Sequence, residues 1–128
     1  MTTYNVGYII GSLAKGSINR KLAKALVKLA PDKLNMSEIS FADLPLYSYD
    51  YDADYPAVAQ EFKAAIKRSD AILIVTPEYN RSIPGGLKNA LDEEFDFGAV
   101  VPDDTVRGLL VGRKKDADAE ALLAGLRE

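Results

Sequence analysis

Cysteine is absent from the 128 residues, which excludes disulfides, thiolate catalysis and cysteine-bound metals. Histidine is absent too. Its loss removes Ser-His-Asp triads, imidazole acid–base chemistry and the usual zinc sites, so no metal centre is expected. No apolar run approaches the ~20 residues that a membrane span needs. Residues 1–5 (Met-Thr-Thr-Tyr-Asn) lack the basic start and long apolar core of a signal peptide. A cytoplasmic location with no membrane partner is the expectation. Excess positive charge is also missing. A net charge of -3 and a pI near 5.0 argue against nucleic acid as a partner. With these reactive groups gone, any enzymatic chemistry is expected to rest on a cofactor rather than on a catalytic side chain.

What remains has the balance of one globular domain spanning residues 1–128, with 48% hydrophobic and 27% charged residues. Residues 6–10 (Val-Gly-Tyr-Ile-Ile) form a short apolar run that predicts a buried strand. Ile18, Leu22, Ala25, Leu26 and Leu29 then recur at helical spacing, opposite Arg20, Lys21, Lys24 and Lys28, until Pro31 closes the helix. Residues 35–40 predict a polar edge strand. Residues 41–55 form a long connection whose tyrosines are expected to pack it down. A second amphipathic helix begins at Pro56, with Val58, Phe62, Ala65 and Ile66 on one face. Residues 71–75 (Ala-Ile-Leu-Ile-Val) are apolar on both faces, which predicts a strand covered by helices on both sides. A third helix is expected from about Leu87 into Asp92-Glu93-Glu94, a fourth strand over 106–112, and a last helix over 116–126.

This β-α-β-α-β-α-β-α order predicts an α/β fold, a doubly wound parallel sheet in three layers. Ligands of such sheets sit beyond the carboxyl ends of the strands, at the topological switch point. In the strand order 2-1-3-4-5 that point lies between the first and third strands, and the two polar loops of interest follow those two.

The first loop, residues 11–20 (Gly-Ser-Leu-Ala-Lys-Gly-Ser-Ile-Asn-Arg), places small residues, the hydroxyls of Ser12 and Ser17 and the amide of Asn19 at the positive end of a helix. A phosphate monoester fits this arrangement. A plain helix cap, with Ser17 bonding to Asn19 or Arg20, fits it equally well. Gly11 and Gly16 have Walker-A spacing, but Ser17 stands where the lysine must be, and Leu13 breaks G-x-G-x-x-G. Nucleoside triphosphates and a dinucleotide fingerprint are therefore not expected here.

The second loop is more specific: Thr76-Pro77-Glu78-Tyr79-Asn80-Arg81-Ser82-Ile83-Pro84-Gly85-Gly86, continuing as Leu87-Lys88-Asn89-Ala90-Leu91-Asp92. Together with Gly-Ser-Leu in the first loop, its Ser17-Ile18-Asn19-Arg20, and Asp43-Leu44-Pro45-Leu46-Tyr47, it resembles the NADPH-dependent FMN reductase family. That family has a flavodoxin-like fold and includes quinone, azo-dye and chromate reductases. The resemblance covers about residues 4–92. It implies that Ser12, Ser17 and Asn19 hold the FMN phosphate. It further implies that Pro77, Glu78, Tyr79 and Asn80 line the isoalloxazine ring, with Ser82 beginning the following turn close to it. FMN and NADPH or NADH are the implied cofactor and co-substrate. The implied acceptor is a small quinone-like, azo or metal-oxyanion molecule, and the implied assembly is a homodimer or higher homo-oligomer.

Two departures accompany the resemblance. Ala14 stands where the family often carries an arginine, leaving Lys15 or Arg20 to compensate. Residues 93–128 form a divergent tail lacking the family's Trp after Asp92 and its Ser-Pro-Gly turn. The sheet is accordingly expected to be shortened to about four strands, in a truncated or chimeric chain. The alternative function is a flavodoxin-like module, truncated or engineered, that binds FMN weakly or not at all and has no turnover.

Overall fold

The structure, a computed structural model, describes residues 2–94 and 108–113. Four strands, β1 (Tyr4–Ile10), β2 (Leu34–Glu38), β3 (Ala71–Pro77) and β4 (Gly108–Arg113), form one sheet in the order β2-β1-β3-β4. Every pairing is parallel: Val6 faces Ala71, Ile10 faces Val75, and Ile72 to Pro77 run beside Gly108 to Arg113. Non-sequential parallel neighbours need crossovers, and the helices α1 (Ile18–Leu29), α2 (Ala57–Lys67) and α3 (Gly85–Glu94) lie in those connections. This is the flavodoxin-like doubly wound sheet that the element order predicts. The expected last helix lies outside the described residues.

Side chains alternate along each central strand and so feed two cores. Ile9, Ile72 and Ile74 point to the face covered by α2 and α3, where they meet Phe62, Ile66, Leu87, Ala90, Ile39 and Phe41. Ile10, Val75, Tyr8 and Leu73 point to the opposite face and meet Leu22, Ala23 and Leu26 of α1. The result is an α/β/α sandwich with β1 and β3 at its centre. β2 is an edge strand with mostly exposed side chains, as its polar sequence predicts.

Three features differ from the sequence reading. α3 starts at Gly85 rather than Leu87, because Pro84 presets the helical entry and its carbonyl accepts from Lys88 N at 2.9 Å. α1 buries Asn19, Leu22 and Ala23 while Ile18 and Leu29 stay exposed; small Ala23 lets the helix settle onto the sheet on a narrower stripe. The 41–55 connection is not packed down by all its tyrosines. Tyr47 and Tyr49 are exposed, and the segment is instead seated by Phe41 and Leu44 in the core and a short 3-10 turn at Tyr49–Tyr51.

Candidate functional site

β1 and β3 are the strands at which the sheet order reverses, so the loops leaving their carboxyl ends lie side by side. They meet at Gly11. Its N–H donates to Val75 O at 2.7 Å, and a Cβ built there would overlap the Thr76 side chain and lie 3.0 Å from Thr76 Cα. Glycine is required at this seam for space, and Thr76 is fully buried against it with its hydroxyl donating to Pro77 O at 3.0 Å. Each residue opens one of the two loops read from the sequence, where neither is given a role.

The first loop carries Ser12, Ser17 and Asn19 inward, all three more than nine-tenths buried. Ser12 Oγ accepts only a long bond from Ala14 N, at 3.4 Å. Ser17 occupies the N-cap position of α1 but its side chain makes no capping bond. The plain-cap reading therefore fails. Ser17 Oγ and Asn19 Oδ1 are buried with no hydrogen-bond partner. Leaving such atoms unpaired costs about 1–3 kcal/mol each, so a native site with two of them calls for a missing partner. A half-turn of the Asn19 amide presents its N–H₂ at the same place. Two side chains able to donate, beside free backbone N–H groups at a helix N-terminus, complement an anion. Of the two cations expected to compensate for Ala14, Arg20 is engaged with Glu38 of β2 at 3.0 Å. Lys15 is exposed at the loop.

The second loop leaves β3 at Pro77, which is buried, and Glu78, which is partly buried. Tyr79, Asn80 and Ser82 are exposed, Tyr79 to 46%. Tyr79 N donates to Ser82 O at 2.9 Å and Ser82 N to Tyr79 O at 3.0 Å, closing a two-residue turn. Ser82 thus ends this turn rather than beginning the next one. Asn80 and Arg81 at its centre have φ of 50° and 63°, the type I′ pattern. Among the described residues no side-chain hydrogen bond joins this turn to the Ser12, Ser17 and Asn19 group; their proximity comes from the sheet. A groove of about 330 Å³ between β2 and the end of α2 is lined by other residues, among them Ser37, Arg68 and Ser69. Among the described residues there is no cluster of acidic side chains able to hold a metal ion, and no helix long and apolar enough to cross a membrane.

Comparison with known proteins agrees with this fold. The family model described as NADPH-dependent FMN reductase matches residues 4–99, seven residues beyond the limit of the sequence resemblance. The chain is 53% identical over 87 residues to a 2-hydroxy-1,4-benzoquinone reductase of a Burkholderia species, covering 68% of this chain and 48% of that one. It is 52% identical over 90 residues to a quinone reductase of Pseudomonas putida, covering 70% and 48%. Among solved structures, the flavoenzyme NAD(P)H:(acceptor) oxidoreductase FerB of Paracoccus denitrificans superposes with a TM-score of 0.73 at 39% identity, over 86% of this chain and 60% of that one. The chain spans about half the length of the curated relatives it matches.

Proposed function

The chain belongs to the NADPH-dependent FMN reductase family, and from that premise we propose that it binds FMN and passes electrons from NAD(P)H to a quinone-like acceptor. One observation carries the reading: the buried, unpartnered Ser17 Oγ and Asn19 Oδ1 at the start of α1, where the family places a phosphate. In this reading Ser12, Ser17 and Asn19 hold the FMN phosphate. Pro77, Glu78, Tyr79 and Asn80 form the wall beside the isoalloxazine ring, with Ser82 closing the turn behind them. Bound FMN supplies the hydride and electron chemistry, which the absence of His and Cys leaves to a cofactor. The protein's own contribution is to hold and orient. The cradle neutralises the phosphate with fixed dipoles, Pro77 offers a rigid apolar edge, and the exposed Tyr79 ring gives a planar surface for stacking.

Names among the relatives favour a quinone acceptor, so azo dyes and metal oxyanions rank behind it. A homodimer or higher homo-oligomer is the assembly this reading takes from the family, with the cytoplasm as its proposed location. Replacing Ser17 and Asn19 together by Ala removes two donors to an anion, each worth roughly 1.5–3 kcal/mol. FMN affinity should fall by about two to four decades, while riboflavin, lacking the phosphate, should bind both proteins alike. Flavin titration reads this directly. Equal FMN affinity in the double variant would return the first loop to the status of an uncapped helix start.

A further inference from the structure

The Tyr79–Ser82 turn breaks one local rule. Both central residues of a type I′ turn take left-handed backbone, and the pair that fits is Asn followed by Gly. Asn80 fits. At φ 63° the second position holds Arg81, whose Cβ is disfavoured in this region. The two reciprocal backbone bonds close the turn without help from either central side chain. Arg81 is exposed and has no hydrogen-bond or ion-pair partner among the described residues, whereas Arg20 is tied to Glu38. It is also the one cation between Thr76 and Leu87. A strained conformation kept for a side chain that the fold does not use points to a use outside the fold.

We propose that Arg81 anchors a phosphate of the pyridine dinucleotide as that molecule approaches the flavin ring. This rests on the reading of the chain as an FMN reductase. The cradle at α1 is committed to the phosphate of FMN, so the hydride donor must find its own cation. A guanidinium fork offers two parallel donors to phosphate oxygens, which a lysine cannot reproduce. The turn projects Arg81 from the carboxyl end of β3, the same edge of the sheet on which the flavin loops lie. The phosphate is either the pyrophosphate common to both donors or the 2′-phosphate of NADPH.

The test compares the FMN-loaded wild type with R81G and R81K. Glycine is the residue the turn prefers, so R81G should melt no lower than wild type, and all three should hold FMN equally. NADP⁺ titrated into the loaded proteins should bind R81G at least about tenfold more weakly, with R81K between. The KM for NADPH should rise by the same factor with kcat unchanged, because the anchor lies away from the reacting atoms. An equal loss with NAD⁺ and NADH assigns the pyrophosphate; a loss confined to the 2′-phosphorylated forms assigns that group. R81G binding both dinucleotides as tightly as wild type, with FMN in place, overturns the anchor and leaves the FMN reading standing. A wild type that takes up no FMN fails that reading instead, and if it also takes up no NADP⁺ the anchor fails with it.

Discussion

Glu93 shows how one side chain can set a pH dependence. It follows Leu87 and Ala90 at three-residue steps along α3, and like them it is buried, only 2% exposed. Its Oε2 has no hydrogen-bond partner. Burial pushes its carboxyl above the ordinary 4.5, with Lys63 of α2 pulling in the opposite direction. The folded state therefore holds the proton more tightly than the unfolded chain does. The stability Glu93 contributes is present below pH 4.5 and is lost as pH rises through the raised value. Glu93→Gln keeps the shape and removes the charge. It should stabilise the protein by about 1–3 kcal/mol at pH 8, the gain vanishing toward pH 4. Urea melts across that range check it, and a destabilised variant at pH 8 would mean that Lys63 pairs with the carboxylate. In the sequence the Asp92-Glu93-Glu94 cluster marks only where the third helix ends. The three-residue steps alone mark its middle member as inward.

At the scale of the element, the strands were legible where both faces are apolar. β1 and β3 announce themselves because a residue that must pack on α1 and its neighbour that must pack on α2 and α3 are both hydrophobic. The grouping of Ser12, Ser17 and Asn19 at the start of α1 was legible as well, although a helix cap fitted the same residues equally. The conformation of Arg81 was not, because propensity predicts glycine there. Neither was the fastening of the 41–55 connection. Asn89 of α3 reaches back across the sequence, its Nδ2 donating to Pro45 O at 2.8 Å and its Oδ1 accepting from Tyr47 N at 2.8 Å. No pattern within either segment reveals this clamp. Asn89→Ala should cost about 1–2 kcal/mol and raise amide exchange at Tyr47 and its neighbours while β1 and β3 stay protected. Uniform protection of the loop in the variant would show that Phe41 and Leu44 suffice to seat it. Gly11→Ala acts at the carboxyl ends of β1 and β3, forcing β1 from Thr76. It should destabilise by about 1–3 kcal/mol and weaken FMN binding in the same variant, because the seam it opens separates the two loops. Thermal melts with and without FMN read both effects, and unchanged FMN affinity would show that the loops are held apart from the seam.

For the whole molecule, the sheet order makes ligand binding and folding one problem. The loop proposed as the cradle joins β1 to α1, the proposed ring wall leaves β3, and the two strands are joined along Val6 to Ile10 against Ala71 to Val75. A ligand that spans both loops therefore requires this pairing, and binds nothing in the unfolded chain. Linkage then fixes the size of the response: at a free FMN concentration one hundred times Kd, the folded state gains about 2.7 kcal/mol. For a chain of this length that is roughly a 10 °C rise in Tm. Riboflavin at one hundred times its own Kd should give the same rise, since the gain depends only on occupancy. At equal concentrations the two should differ, by the affinity that the phosphate adds. In the Ser17→Ala, Asn19→Ala protein the FMN curve should move toward the riboflavin curve, because the group distinguishing the ligands keeps only Ser12 and the backbone as partners. Differential scanning of the two proteins against a flavin concentration series checks all of this at once. Two FMN curves that superpose between wild type and variant would place the phosphate elsewhere on the molecule, and a wild-type Tm indifferent to FMN would mean that the strands hold their loops for some other ligand.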